Sequence, residues 1–144
     1  MKQPKTFEDL IEKYPKIFEL MNDGYYRISS DIPTQWIYIV DQLCYSMQNR
    51  IDNVTIYGGE FKMTVPPQIV CEQVKEKYGG LRFYTHGGDK EMEGMISMAE
   101  DMCWNTCEEC GSHENLGTTT GYMIRKCEIC ANKVSNNLKW KKDE

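Results

Sequence analysis

The residues with the clearest capacity for chemistry are four cysteines in the C-terminal part of the chain. They form two pairs, Cys107-x-x-Cys110 and Cys127-x-x-Cys130, with sixteen residues between the pairs. A spacer of two residues lets both thiolates of a pair reach one ion, and two such pairs complete a tetrahedral four-thiolate site, which suits zinc. The spacing therefore predicts one structural Zn²⁺ bound by Cys107, Cys110, Cys127 and Cys130.

The residues around these pairs predict the local fold of a metal module. Gly111 follows the first pair and fits a tight knuckle whose backbone amides face the sulfurs. Residues 117–126 fit a hairpin, and Ala131, Val134 and Leu138 then take helical spacing. A knuckle, a hairpin and a helix carrying the last two ligands predict a treble-clef zinc module.

A second pattern lies in residues 74–89, VKEKYGGLRFYTHGGD, which combine two glycine pairs with cations and aromatic rings. We expect two strands, roughly 69–77 and 81–85, joined at Gly79-Gly80. Strict alternation places Glu72 on the core face, unless a bulge exposes it. The same alternation places Val70, Val74, Leu81 and Phe83 on the core face and Cys71, Gln73, Lys75, Lys77, Arg82 and Tyr84 on the outer face.

The outer face suits an anionic, partly aromatic ligand. Arg82 can grip a phosphate in a fork, the lysines add charge, and Tyr84 can stack on a ring. The predicted ligand-binding residues are Lys75, Lys77, Gly79, Gly80, Arg82, Tyr84 and His86, with the glycine amides unobstructed. The alternative is an ordinary hairpin with charged side chains facing water, and a carboxylate at Asp89 would repel a phosphate from the following helix.

The elements that position these residues follow from periodicity. Residues 6–21 predict a helix capped by Thr6, split or kinked at Pro15 and ended by Asp23-Gly24. Pro33-Thr34 opens a second helix, whose apolar stripe carries Trp36, Val40, Leu43 and Met47. From Asn53 the period changes to two, which predicts a glycine-turn hairpin over 54–65. A further helix begins at the N-cap Asp89, and its apolar face carries Met92, Met95, Ile96, Ala99, Met102 and Cys103.

These elements predict an α+β fold: two N-terminal helices, two glycine-turn hairpins forming a small antiparallel sheet, one amphipathic helix and a C-terminal treble-clef-like module. We expect an α+β domain over residues 1–104 and a zinc module over 105–144 that packs on it as one cooperative unit. The methionines are expected to fill the core rather than to line a recognition groove.

Composition narrows the class of partner. The net charge of −5 disfavours a large basic surface for duplex nucleic acid, although Lys139, Lys141 and Lys142 around Trp140 form a local basic tail that we interpret as a frayed, solvated end. Seven cysteines without an apolar leader indicate a reducing compartment, and no stretch reaches the roughly 18 apolar residues of a membrane span. We therefore expect a cytoplasmic protein without a membrane partner.

An enzyme is the less favoured class. A treble-clef nuclease needs a histidine base beside a hydrolytic metal with an open position, whereas four cysteines close the coordination shell. The chain has only His86 and His113, and neither adjoins another histidine or an aspartate. A hydrolase that uses one of these histidines with Glu72 or Asp89 stays an alternative.

One resemblance adds a context. The run VKEKYGGLRFY, followed by an amphipathic helix and then CEECG, resembles small proteins that recur in genomes of tailed bacteriophages and prophages. In those proteins a K-E-K-(F/Y)-G-G-L-R-F-Y-like run precedes a helix and a CxxCG knuckle. The likeness extends from about Trp36 to Cys130, roughly two thirds of the chain.

The resemblance implies a phage-type accessory protein in the host bacterial cytoplasm. Such proteins often counter host defence by gripping a defence protein or by sequestering a nucleotide signal. Together with the cationic hairpin, this leads to the hypothesis of a zinc-stabilised, non-enzymatic protein that binds a phosphate-bearing nucleotide or a defence protein. A nucleic-acid-binding regulator that uses the treble clef and the basic tail is the alternative, and a homo-oligomer stays open.

Overall fold

The computed structural model describes residues 2–57, 65–133 and 139–144 and has an α+β fold, as predicted. Strands β1 and β2 form one antiparallel sheet, and a second sheet has the order β4-β3-β5. None of the helices in the described ranges is both long enough and apolar enough for a membrane span. The elements are α1 (Phe7–Lys13), α2 (Gly24–Ile28), α3 (Ile37–Tyr57), β1 (Val70–Lys77), β2 (Gly80–His86), α4 (Lys90–Trp104), β3 (Leu116–Thr119), β4 (Arg125–Cys127), α5 (Glu128–Lys133) and β5 (Trp140–Lys142).

The N-terminal helices begin at side-chain caps. Thr6 accepts a hydrogen bond from the amide of Asp9, whose carboxylate accepts one from the amide of Thr6, so the predicted cap is confirmed. Helix α1 ends two residues before Pro15, because the residue before a proline disfavours helical geometry. Asp23, which we expected to end a helix, instead caps α2 by accepting from the amide of Tyr25.

Helix α3 is longer than the sequence pattern suggested. It runs to Tyr57, so the prediction of a first hairpin over 54–65 is wrong in its first strand. Alternation over so few residues cannot outweigh helix propagation, and the spacing of Met47, Ile51 and Val54 also continues the helical period. The rest of that predicted hairpin, residues 58–64, lies outside the described residues.

The main core lies between α1, α3, α4 and the inner face of the β1–β2 hairpin. The ring of Phe18 contacts Phe7 and Phe83 edge-on, with centroid distances of 5.7 and 6.3 Å. The predicted stripe of α3 is buried, and so are four of the six predicted residues of α4, whereas Met95 is half-buried and Met102 is 46% exposed. Core filling is therefore confirmed for Met92 but wrong for Met102.

A buried carboxylate joins α1 to α3. Asp41 accepts hydrogen bonds from the hydroxyl of Tyr14 at 2.6 Å and from the ammonium of Lys13 at 2.9 Å. Burial, and then the hydrogen bond to Asp41, raise the pKa of Tyr14. Because each polar group has a partner, this contact fixes the first helix on the third without leaving an unsatisfied charge.

The hairpin turn has a geometry that few residues adopt. Tyr78 and Gly79 have φ values of 56° and 84°, as a type I′ turn requires, and Gly80 pairs with Lys77 in the ladder. The turn is therefore centred on Tyr78-Gly79, and the predicted joint at Gly79-Gly80 is one residue too late. This turn matches the right-handed twist of the two strands.

A β-bulge near the start of β1 changes which side chains face the core. The register shifts between Cys71 and Gln73, so Glu72 has no partner in the ladder and its side chain is exposed. Cys71, which alternation placed on the outer face, is instead buried. The bulge shifts the alternation of buried and exposed side chains by one residue. Glu72, which strict alternation placed on the core face, is therefore exposed.

Three thiols lie outside the predicted metal ligands. Cys44, Cys71 and Cys103 are all buried in the main core. Burial raises the pKa of each of them, because a thiolate is poorly solvated there. They therefore behave as small apolar side chains.

Two glycines provide a matched test of the fold. A methyl group on Gly87 (φ 78°) would lie 2.1 Å from the carbonyl oxygen of Gln68, whereas one on Gly94 in α4 meets nothing within 4 Å. We expect Gly87→Ala to lower the free energy of unfolding by more than about 2 kcal/mol and Gly94→Ala to raise it by about 0.5–1 kcal/mol. Urea denaturation measures both, and equal effects of the two substitutions would contradict this geometry.

Candidate metal centre and hairpin face

The four predicted ligands form one cluster. Their sulfur atoms all lie within 4.8 Å of one another, and those of Cys110 and Cys127 are 3.7 Å apart. Four sulfurs placed tetrahedrally around zinc, at about 2.3 Å each, stand about 3.8 Å apart. The cluster therefore has the donor set and the spacing to hold one metal ion.

The backbone around the cluster directs amides at the sulfurs. Gly111 has a φ of 81°, and its amide donates to the carbonyl of Cys107 at 2.9 Å, which closes the knuckle. The amide of Ser112 donates to the sulfur of Cys110, and that of Cys130 donates to the sulfur of Cys127. Such contacts stabilise thiolates and orient them toward an ion.

The thiols of the cluster differ in acidity. Burial opposes ionisation of Cys107, but backbone amides outweigh it and lower its pKa from 9.0 to about 7. Burial, followed by the neighbouring thiols, raises the pKa of Cys130. Like charges so close together cannot all form without a cation, so a bound dication would replace the protons.

A buried arginine that sequence patterns did not indicate lies beside the cluster. Arg125 is 0% exposed, and its guanidinium binds both carboxylate oxygens of Asp143, at 2.7 and 2.6 Å. It also donates to the carbonyl of Trp104 and to the hydroxyl of Thr118, both at 2.9 Å. Its central carbon is 4.2 Å from the centroid of the Trp104 ring, which is a cation–π contact.

Arg125 also supports the hairpin turn. A side-chain carbon on Gly79 would lie 2.9 Å from the side chain of Arg125 and 3.3 Å from the ring of Trp104. A second hydrogen bond joins the helical part of the chain to the knuckle. Gln35, near the start of α3, donates to the carbonyl of Glu109 at 3.0 Å. The metal module thus contacts both the hairpin turn and the helical part of the chain.

The basic tail is part of this module. Residues Trp140–Lys142 form β5, which pairs with β3, and the indole of Trp140 donates to the carbonyl of Lys126 at 3.0 Å. Gly117 makes room for the same ring. The tail is therefore not frayed, because it has its own partners in the sheet, although Lys139, Lys141 and Lys142 are exposed to solvent as expected.

The predicted outer face of the hairpin is assembled as expected, apart from Cys71, which is buried. Cross-strand pairing places Lys75 beside Arg82 and Gln73 beside Tyr84, opposite the buried Leu81 and Phe83. The cationic face, as we call it, consists of Gln73, Lys75, Lys77, Arg82 and Tyr84. Lys75 and Arg82 are half-buried, whereas Lys77 and Tyr84 are exposed.

The charge of the cationic face is little compensated. No ion pair within 4.0 Å joins Lys75, Lys77 or Arg82 to a described residue. Burial raises the pKa of Glu100, and the nearby charge of Arg82 offsets part of that rise. Among the residues that the structure describes, ion pairs with carboxylates form instead on six other lysines and arginines, namely Lys13, Arg27, Arg50, Arg125, Lys126 and Lys142.

The other predicted ligand-binding residues are partly occupied by the protein itself. Gly79 and Gly80 are buried, and the amide of Gly79 donates to the carboxylate of Glu76 at 2.7 Å, so it is not unobstructed. Asp89 caps α4 and pairs with Arg50 at 2.8 Å, which leaves the start of that helix with a bound carboxylate. Neither position offers an anion a free backbone amide of the kind expected from the glycine pairs.

His86 lies at the far end of β2 and belongs to an exposed pair. Its Nδ1 is 2.8 Å from the carboxylate of Glu72, which the bulge places there. His113 is engaged elsewhere, with its Nδ1 2.9 Å from the carbonyl of Asn105. Of the four residues of the hydrolase alternative, Glu72 and His86 form one surface pair. His113 and Asp89 have other partners.

Comparison with known proteins adds no relative. The chain matches no family model, and no curated protein or solved structure matches it. A functional assignment therefore rests on the chemistry of the residues described above.

Two cysteines test the metal centre. We expect the wild-type protein to carry one metal ion per chain, Cys107→Ser to lose it because a thiolate ligand is absent, and Cys103→Ser to retain it because that thiol lies in the main core. Native mass spectrometry with elemental analysis measures the metal. Equal metal content in the two variants would contradict the assignment.

Charge-conserving substitutions test the role of Arg125. Lysine cannot form the forked contact with Asp143 together with the bonds to Trp104 and Thr118, so Arg125→Lys should destabilise the protein by about 2–3 kcal/mol. Arg27→Lys alters a pair with Glu8, a hydrogen bond to the carbonyl of Ser30 and a contact with the Phe7 ring, all on a partly exposed side chain, and should cost less, about 1 kcal/mol. Denaturation of both variants at equal metal content decides, and a similar cost for each would refute the central role of Arg125.

Proposed function

We propose that the four cysteines hold one structural Zn²⁺ in a treble-clef module. The order of elements supports this assignment, since a knuckle at Cys107 and Cys110 is followed by the β3–β4 hairpin and by α5, which carries Cys130. Four thiolates fill a tetrahedral shell and leave no position for an activated water. The proposed role of the metal is therefore to fold the module, not to catalyse a reaction.

We further propose that the protein is a non-enzymatic binding protein whose cationic face captures a phosphate-bearing nucleotide. The pairing of Lys75 with Arg82 is the observation that carries this proposal, because it sets two cationic side chains opposite each other on one face of the ladder. A phosphate can accept from the forked donors of Arg82 while the lysine adds charge. Tyr84 lies diagonally across the ladder, within reach of a ligand ring.

The distribution of charge favours a binding face over an ordinary outer face of a sheet. The net charge of the protein is −5, yet Lys75, Lys77 and Arg82 form no ion pair with any described residue. Lys75 and Arg82 are also half-buried, so their conformational freedom is already reduced before binding. A local excess of partly ordered positive charge is suited to an anionic ligand.

Capture without reaction fits the context that the phage resemblance implies. An accessory protein in a host cytoplasm can oppose defence by lowering the free concentration of a nucleotide signal, which requires affinity but no turnover. A host defence protein with an acidic patch is the other partner of this kind. The nucleic-acid alternative loses support, because Trp140 packs on β3 and Lys142 lies 3.9 Å from Glu128.

Substitution of Arg82 tests the binding proposal. Loss of its charge-assisted hydrogen bonds should weaken ATP binding about tenfold or more in Arg82→Ala, while Lys16→Ala, which removes an exposed cation distant in sequence, should leave it unchanged. Titration calorimetry at fixed ionic strength measures the affinity, and metal content should equal that of wild type in both. Unchanged affinity in Arg82→Ala would remove the cationic face from the function.

A further inference from the structure

A cleft of about 220 Å³ lies between the hairpin turn and the loop that joins β3 to β4. Its lining comes from both parts of the chain, with Lys77 and Tyr78 on one side and Tyr122 and Met123 on the other. Such a cleft presents two aromatic rings, a thioether, one cation and the carboxylate of Glu76 in a single concavity. That combination is suited to a planar ring that carries hydrogen-bonding groups.

We propose that this cleft binds the base of the nucleotide whose phosphates lie on the cationic face, an inference that rests on the proposed function. It assigns the stacking of the base to Tyr78 and Tyr122 at the turn end of the hairpin, in place of Tyr84, which pairs with Gln73 farther along the ladder. The ligand would then contact the hairpin and the metal module at once, so the module would contribute residues to binding as well as stability.

The backbone of Tyr78 is the first observation that supports a ligand. Its φ of 56° is left-handed, a conformation that type I′ turns usually give to asparagine or glycine. The side chain is 62% exposed, so burial in the fold does little to offset this cost. A strained aromatic residue at the mouth of a cleft points to a role for its ring outside the fold.

The backbone at Tyr122 and Ile124 is hydrogen-bonded to a buried threonine, Thr119. Thr119 donates from its hydroxyl to the carbonyl of Tyr122 at 2.5 Å and accepts from the amide of Ile124 at 2.8 Å. The backbone of the loop is thus fixed while the Tyr122 side chain is 70% exposed. A ring presented on a fixed backbone loses little entropy when it stacks on a ligand.

Lys77 connects the cleft to the cationic face. Its ammonium is 5.4 Å from the centroid of the Tyr78 ring, and its side chain shares a strand face with Lys75 and Arg82. Alternate residues of a strand are about 7 Å apart, a step that a ribose and its phosphates can span. A ring stacked at Tyr78 would therefore place its phosphates over the three cations.

The size and the one acidic residue of the cleft fit a base without its phosphates. Sites for whole drug-sized ligands occupy about 300–1,000 Å³, so 220 Å³ has room for the ring system alone. Glu76 lines the cleft, and one of its oxygens already accepts from the amide of Gly79. The other carboxylate oxygen can accept from an exocyclic amino group of a base.

Two probes and a turn-compatible substitution test this inference. Tyr78→Asn suits the left-handed turn, so its melting temperature should equal or exceed that of wild type, while ATP affinity should fall about 5- to 100-fold through lost stacking. Inorganic tripolyphosphate has no base, so its affinity should be unchanged in Tyr78→Asn and lower than that of ATP in wild type. Tyr25→Asn, which alters a 78% exposed tyrosine elsewhere, should leave both affinities unchanged.

The outcomes separate this inference from the proposed function. Equal affinity of wild type for ATP and tripolyphosphate, with both lost in Arg82→Ala, would overturn base binding and keep the cationic face. Undiminished ATP affinity in Tyr78→Asn would also overturn base binding. If neither probe binds, or if only an acidic protein partner binds the hairpin, both proposals fail.

Discussion

The need to satisfy one fully buried guanidinium organises the junction between the hairpin turn and the cysteine cluster. Removing a charge from water costs several kcal/mol unless its donors are bonded, and Arg125 meets this condition with groups from α4, from β3 and from Asp143 just after β5. Arg125 is also two residues from Cys127 on β4 and lies against Gly79 in the hairpin turn. The thiol cluster, the end of α4 and the hairpin therefore share one rigid junction.

The parts of the fold that sequence predicted are those that local rules control. Helical spacing identified the buried stripe of α3, and the cap at Asp89 marked the start of α4. The errors arose where a tertiary or cumulative effect overrides the local pattern. The alternation at Val54 and Ile56 predicted a strand, but α3 propagates through both residues. The bulge at Glu72 buries Cys71, which alternation had placed on the outer face.

The candidate sites show the same division. Metal coordination imposes a spacing that is visible in sequence, so all four cysteines of the cluster were found, and alternation placed Lys75 and Arg82 together. Whether a glycine amide is free depends instead on which groups lie beside the turn. The amide of Gly79 donates to the carboxylate of Glu76 and is therefore not free. Arg125 gave no signal, because its partner Asp143 lies 18 residues away in the sequence, just after β5.

The burial of Cys44, Cys71 and Cys103 divides the thiols of this protein into two chemical populations. Alkylating reagents attack thiolates, and three thiols with raised pKa values inside the core offer almost none while the chain stays folded. The cluster contains the more acidic but buried Cys107 and the exposed Cys110, so Cys110 is the thiol of the cluster that a reagent reaches when no ion occupies it. The extent of Cys110 labelling on folded protein thus becomes a gauge of how much of a preparation carries a metal ion at the cluster.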